Sequence, residues 1–159
     1  MALNLEEYLT RIGYEGSLDP TFDTLCAMQR HHVYAIPYEN LDVYLEYPVT
    51  VDIEACFEKI VHRQRGGWCY EMNGLLGWAL GEIGFDVTRL CGGVGREFAG
   101  DIAMGGHLVL RVDMDDVWIV DVGLGNAATG PLKLEAGAHQ QGERLFHLEH
   151  LEDVHFPPQ

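Results

Sequence analysis

Basic residues are scarce in this chain of 159 residues: 10 lysines and arginines stand against 25 acidic residues, giving a formal net charge of −15. Because such a surface repels phosphate groups and anionic headgroups, we expect neither nucleic-acid nor membrane binding. Long apolar runs are also missing, since no segment approaches the ~20 apolar residues of a membrane helix. The acidic N-terminal residues lack the basic and apolar regions of a signal peptide. A cytoplasmic protein is therefore expected.

Cysteine is sparse as well, with four residues far apart and no C-x-x-C pair. A disulfide framework is not expected from such spacing in a cytosolic chain. The closely spaced Cys and His ligands of a zinc site are missing too. The glycine-rich runs at 91–95 and 123–125 are not followed by a helix start, which argues against a dinucleotide-binding loop. We therefore expect neither a metal nor a permanently bound cofactor.

The pattern of apolar residues changes from helical to extended near the middle of the chain. Helical spacing predicts helices near 3–12, from 19–21 to before Pro37, near 52–61 and at 69–83, with Gly13 and Gly84 as stop signals. Extended apolar runs predict strands at 85–91, 108–112, 117–122 and 145–150, with a hairpin turn at 113–116. Helices followed by antiparallel strands indicate an α+β fold.

Cys69 is the first candidate for chemistry, because it follows Gly66 and Gly67 and stands where the fourth predicted helix begins. Unpaired N–H groups at a helix N-terminus favour the thiolate, which is the nucleophilic form of cysteine. A buried, inert cysteine is the alternative, since most free cysteines only fill the core. Local context leaves both interpretations open.

A nucleophilic cysteine needs a base, and the base needs a partner that orients it. His107 begins a predicted strand after two glycines, and Asp121 lies within an apolar run of the next strand. A carboxylate in such a run is either paired or at a strand end facing water. If the two strands are antiparallel neighbours, a short hairpin brings His107 beside Asp121, and the pair could serve Cys69.

Four ordered motifs carry a resemblance to a known family. Residues 65–73 read Arg-Gly-Gly-Trp-Cys-Tyr-Glu-Met-Asn, and 36–42 read Ile-Pro-Tyr-Glu-Asn-Leu-Asp. Further on, 106–110 read Gly-His-Leu-Val-Leu and 120–125 read Val-Asp-Val-Gly-Leu-Gly. In this order they resemble the motifs of the arylamine N-acetyltransferases, over the chain from residue 3 to about 135. The resemblance implies an N-terminal helical bundle followed by an antiparallel β-rich domain, with a cysteine-proteinase-like core.

The resemblance also implies a ping-pong reaction with acetyl-CoA as cosubstrate. Cys69 would take the acetyl group and pass it to an arylamine, hydrazine or N-hydroxyarylamine. His107 would manage the protons and Asp121 would hold His107, completing a Cys-His-Asp triad. Three alternatives remain open: a papain-like or transglutaminase-like enzyme, an amide synthase of the same fold, and a non-catalytic relic.

Other matching positions suggest how substrates are held. The acceptor pocket would be lined by Tyr38, Val94 and Leu124. Tyr38 and Leu124 both replace a phenylalanine of the family, so acceptor preference is expected to differ. Gly125 and Asn126 lie in the loop that approaches CoA, and Asn126 replaces a glycine found in many bacterial members. Three polar residues are expected to support the site: Arg65, Glu39 and Asn40.

Length is the largest departure from the family. A helical domain at 1–84 would carry Cys69, and a β-rich domain at 85–159 would carry His107 and Asp121. The C-terminal third domain of the family would be missing. Self-association through the apolar face left by that domain is therefore expected.

Overall fold

The computed structural model describes residues 3–125 and 128–151. Helices occupy the front of the chain and an antiparallel sheet follows, as predicted. The helices are α1 (Leu5–Ile12), α2 (Phe22–Ala35), α3 (Leu41–Tyr44), α4 (Ile53–Phe57), α5 (Cys69–Ile83) and α6 (Arg96–Ala99). The strands are β1 (Asp86–Gly92), β2 (His107–Asp113), β3 (Val117–Val120), β4 (Leu132–Lys133), β5 (Gly137–Gln141) and β6 (Arg144–Leu148).

Side-chain caps and glycines set the helix ends. The Asn4 side chain accepts hydrogen bonds from the backbone N–H groups of Glu6 and Glu7, which begins α1. Gly13 (φ 65°) and Gly84 (φ 107°) adopt left-handed conformations directly after α1 and α5. Both predicted stop signals are therefore confirmed.

The third predicted helix changes its winding partway along. Asp52 caps α4 through the N–H of Ala55, and the chain continues from Glu58 to His62 as a π-helix. The π-helix ends at His62, and Gln64 in the loop that follows has a φ of 52°. Turns of π-helix are short and often lie near functional sites. This one comes directly before the loop of residues 63–68, which leads into Cys69. The motif at 36–42 runs from the end of α2 into the short helix α3, which begins at Leu41.

The sheet has the strand order β1-β2-β3-β4, and all its neighbours are antiparallel. The tight turn predicted at 113–116 joins β2 to β3, whose last paired residues are Leu110 and Val120. A separate hairpin is formed by β5 and β6, so the strand predicted at 145–150 is present at 144–148.

Helix α5 lies between the other helices and the sheet. It is buried along most of its length, and Gly77 approaches the side chain of Leu110 so closely that a Cβ there would be 3.1 Å from it. The buried cluster around it joins helix residues such as Leu25 and Leu76 to sheet residues such as Val120. One continuous core therefore supports both halves of the chain, while the division at residue 84 into two domains stays a prediction.

A fully buried polar pair lies inside the helical part. The Tyr8 hydroxyl is 2.8 Å from His32 Nδ1, and both side chains are inaccessible to solvent. Burial, with a smaller contribution from the charge of Arg11, lowers the pKa of His32 to about 3. His32 is therefore neutral in the folded chain near neutral pH.

This burial predicts acid sensitivity. Since the pKa of His32 is lower in the folded than in the unfolded chain, its contribution to stability is complete above pH ~6.5 and is lost as the pH falls towards 3. The loss is on the order of 4 kcal/mol. We expect His32→Gln to flatten the pH dependence of urea unfolding between pH 6.5 and about 4. An unchanged slope would contradict this.

His62 offers a control of opposite sign. Hydrogen bonds to Glu7 and then Glu58 raise the pKa of this exposed histidine. Its contribution is therefore complete below the unfolded pKa and lost as the pH rises through the folded value. Because His62 also holds the pKa of Glu58 below its usual range, the comparison is made above the carboxylate range, where His62→Gln should leave the slope between pH 6.5 and about 5 unchanged.

Candidate active site

Cys69 is the first residue of α5, and its position is fixed by the glycine pair before it. The backbone of Gly67 donates to Pro37 O (3.3 Å) and accepts from the N–H of Glu39 (2.9 Å). A Cβ on Gly66 would lie 2.2 Å from Pro37 O. The glycines thus allow a close backbone approach, in which the segment after α2 pairs with the loop that leads into Cys69.

A network of charged side chains holds the same loop. Arg65 forms an ion pair with Glu39, and its Nη2 is 2.7 Å from Asp42 Oδ1. Lys59 Nζ is 2.9 Å from Asp42 Oδ2 and 2.8 Å from Glu71 Oε2. Hydrogen bonds from Arg65 hold the pKa values of Glu39 and Asp42 below their usual range. Because each charge has an oppositely charged partner, the cost of burying the group is offset.

The network includes residues that sequence reasoning did not single out. Arg65 and Glu39 were expected to support the site, but Lys59, Asp42 and Glu71 were not. Asn40 precedes α3, and within the described residues its side chain takes no part in the network. Glu71 also accepts a hydrogen bond from the N–H of Trp68 at 3.1 Å, which closes the first turn of α5.

His107 and Asp121 come together as the hairpin prediction requires. His107 Nε2 is 2.7 Å from Asp121 Oδ2, and both side chains are largely buried. Asp121 lies one residue beyond β3 rather than inside it, because the next amide, that of Val122, bonds the Asn73 side chain instead of β2. The carboxylate is thus at a strand end, but it faces histidine and not water.

Cys69 lies against the same hairpin. Its Sγ is 3.7 Å from the carbonyl oxygen of Gly106, the residue before His107. The Tyr70 hydroxyl donates to the carbonyl of Gly105, which ties this turn to the first turn of α5. The structure therefore brings Cys69, His107 and Asp121 together, although they are distant in sequence.

The electrostatics of His107 reflect these neighbours. Burial by itself lowers its pKa, but the hydrogen bonds to Asp121 and Cys69 and the charges of both groups outweigh it and raise the pKa to about 9. His107 is therefore protonated near neutral pH, and its positive charge lies between the sulfur of Cys69 and the carboxylate of Asp121.

Gly123 lets the chain after Asp121 cross the start of α5. A Cβ on Gly123 would be 2.5 Å from Cys69 Cα and 2.8 Å from both Cys69 Cβ and Asn73 Nδ2. Only glycine fits without moving the backbone. This glycine lies in the motif that supplies Asp121, but its packing role could not be read from the sequence.

A cavity of about 310 Å³ opens beside Asp121. Three of the predicted contact residues, Tyr38, Leu124 and Gly125, line it together with Met72. Val94 lies in the turn after β1 with 56% of its surface exposed and is not among the residues around this cavity. The predicted CoA contact Asn126 lies outside the described residues.

Three further observations bear on the expectations from composition. All four cysteines are free thiols. Across 3–125 and 128–151, no three His, Cys, Asp or Glu side chains are grouped so as to hold a metal ion. Over the same residues, every helix is too short or too polar to cross a membrane.

Comparison with known proteins gives consistent matches. A family model described as N-acetyltransferase matches residues 21–155. The arylamine N-acetyltransferase of Mycolicibacterium smegmatis is 47% identical over 148 residues, which cover 89% of this chain and 54% of that relative. A solved structure of the M. smegmatis protein has a TM-score of 0.86 at 44% identity, covering 96% of this chain and 58% of that one. The Mycobacterium marinum arylamine N-acetyltransferase in complex with CoA has a TM-score of 0.87 at 39% identity, covering 94% and 58%.

These matches, with the fold, place the chain among the N-acetyltransferases. Within that class it belongs to the arylamine N-acetyltransferase family, as the four motifs predicted. The chain spans about half the length of the curated relatives it matches: 54% of the M. smegmatis protein and 49% of a pineal gland isozyme from Gallus gallus.

The close approach at Gly123 predicts a large penalty for a single methyl group. Gly123→Ala should lower the free energy of unfolding by about 2 kcal/mol or more, because the loop must move away from Cys69. Gly81→Ala is the matched control, since nothing lies within 4 Å of a Cβ there. It should stabilise α5 by ~0.5–1 kcal/mol. Urea unfolding measures both, and equal stabilities of the two variants would contradict the close approach.

Proposed function

We propose that the chain carries the catalytic centre of an acetyl-CoA-dependent arylamine N-acetyltransferase. The observation that supports this most directly is the hydrogen bond between His107 and Asp121 beside Cys69. In this proposal Cys69 is the nucleophile, His107 is the acid and base, and Asp121 orients His107. A cysteine at a helix start with its histidine on a neighbouring strand also supports a cysteine-proteinase-like core.

The first half-reaction moves the acetyl group to the enzyme. With His107 as the cation, Cys69 attacks as thiolate: its sulfur forms a bond to the carbonyl carbon of acetyl-CoA, and the carbon–sulfur bond to CoA breaks. His107 gives its proton to the departing CoA sulfur. The products are acetyl-Cys69 and free CoA, which leave His107 neutral and held by Asp121.

The second half-reaction releases the acetyl group to an amine. The nitrogen of an arylamine or hydrazine attacks the acetyl carbon, and its proton passes to the neutral His107. The bond from carbon to Cys69 sulfur then breaks, which restores the thiolate and the protonated imidazole. Splitting the transfer in this way divides one difficult step into two easier ones.

The cavity beside Asp121 supports the substrate assignment. Its volume of about 310 Å³ is at the small end of the range for small-molecule sites, as suits a compact aromatic acceptor. Tyr38 and Leu124 contribute to its apolar lining, so we propose them as acceptor contacts. Val94 lies apart from this cavity in the described chain and stays a prediction. Gly125, with φ 45°, is proposed together with Asn126 to approach CoA.

The relatives support CoA as the acetyl carrier, since the M. marinum arylamine N-acetyltransferase was solved in complex with CoA. The match covers 58% of that protein. We therefore propose CoA binding for the whole enzyme, with this chain supplying part of the contacts.

Mass spectrometry tests the first half-reaction. After incubation with acetyl-CoA or an activated acetyl ester near neutral pH, we expect one acetyl group on Cys69 and none on Cys69→Ala. Cys91→Ala is the matched control, because Cys91 is also a thiol and is more exposed, yet its loss should leave the adduct unchanged. His107→Gln should slow adduct formation by about 100-fold or more.

Adding an arylamine separates the proposal from a cysteine hydrolase. The adduct should disappear faster with amine than in buffer alone, and N-acetylated amine should accumulate. An adduct that decays at the same rate with and without amine favours a hydrolase. No adduct on Cys69 from either acetyl donor would overturn the proposal.

A further inference from the structure

Asn73 is one helical turn beyond Cys69 in α5, and its side chain is completely buried. Its Nδ2 donates to the carbonyl of Leu108 at 2.7 Å and to Asp121 Oδ1 at 2.8 Å. Its Oδ1 accepts from the N–H of Val122 at 2.9 Å. Both amide hydrogens and the amide oxygen therefore have partners, and all the partners belong to the β2–β3 hairpin and the loop after it.

The two backbone groups that Asn73 bonds are opposite each other in the hairpin. The register that pairs Leu110 with Val120 continues, two residues further along each strand, to Leu108 and Val122. In an antiparallel pair, such opposed N–H and C=O groups can bond each other directly. Here the carboxamide of Asn73 stands between them, and β3 ends at Val120. The side chain thus takes the place of the next rung of the ladder and holds the strands apart.

The third bond of Asn73 acts on the carboxylate of Asp121. Oδ1 of Asp121 accepts from Asn73 Nδ2 and from the N–H of Gly123, both at 2.8 Å. Its other oxygen, Oδ2, accepts from His107. With one oxygen held by two donors, the carboxylate cannot rotate away from the imidazole without losing both bonds.

We propose that Asn73 is a positioning residue, which keeps the end of the β2–β3 hairpin open and turns the Asp121 carboxylate towards His107. The inference rests on the proposed function for its consequence in catalysis, since the pair it organises is the one assigned to proton transfer. Asn73 acts only through Asp121 and His107. Without it, the rung between Leu108 and Val122 closes and Asp121 loses its fixed orientation.

The pKa of His107, measured by NMR titration of its imidazole, tests this placement. Asn73→Ala removes all three bonds, and Asn73→Leu does so while filling the space. In both variants we expect the His107 pKa to fall by about one unit or more, because the oriented carboxylate is lost. Gln29→Met is the matched control: Gln29 is a buried amide whose Nε2 bonds the backbone carbonyls of Asp121 and Ala128, not the carboxylate. It should lower the melting temperature but leave this pKa unchanged.

The unaltered chain provides a second measurement that does not depend on the variants folding. The side-chain amide protons of Asn73 should exchange with solvent slowly, as expected for buried and bonded donors. Rapid exchange would overturn the inference. So would a folded Asn73→Ala or Asn73→Leu protein whose His107 pKa equals that of the unaltered chain.

These outcomes are separate from those of the proposed function. If Cys69 accepts no acetyl group but His107 responds to the loss of Asn73, the function fails and the positioning role stands. If Cys69 is acetylated while His107 is insensitive to Asn73, the function stands and the positioning role fails.

Discussion

The arrangement of the site depends on the close approach of three chain segments at the start of α5. The loop of Gly66 and Gly67 runs alongside residues 37–39, and Gly123 crosses Cys69 from the other side. A methyl group at Gly66 or Gly123 would overlap backbone atoms, so side-chain volume has been removed where the chain segments meet. Only with this packing can a helix that starts at Cys69 lie against the turn before His107.

Buried polar groups make this packing specific. Apolar contacts alone would tolerate small shifts of α5 along the sheet, because they are non-directional. The ion pairs of Lys59 with Glu71 and Asp42, by contrast, fix the first turn of α5 relative to the π-helix and α3. A buried charge that loses its partner is costly, so sliding is penalised. The same reasoning applies on the sheet side, where the carboxamide of Asn73 has a partner for each of its polar hydrogens and its oxygen.

Local signals in the sequence were enough to locate most elements and to single out Cys69, His107 and Asp121, which the structure brings together. Gly13 and Gly84 end their helices, and the turn at 113–116 brings His107 and Asp121 to one hairpin. What could not be predicted depends on contacts between distant residues. Asn73 and Asp121 are 48 positions apart, and no periodicity indicates that an amide will replace a ladder bond. The π-helical winding after Phe57 and the ion pair between Lys59 and Glu71 likewise follow from tertiary packing. Val94 was assigned to the acceptor pocket by resemblance alone, and it is not among the residues that line the cavity beside Asp121.

The spacing of these contacts has a consequence for the chain during synthesis. The thiol of Cys69 meets Gly106 across 37 positions, so it emerges from the ribosome before the hairpin that supplies its imidazole. Until β2 and β3 dock on α5, Cys69 is an ordinary thiol with no neighbouring base. Contacts of this range form late in folding, since the intervening loop must be closed first. In the proposed function, the arrangement of thiol, imidazole and carboxylate is therefore completed only after the hairpin has been synthesised and has docked on α5.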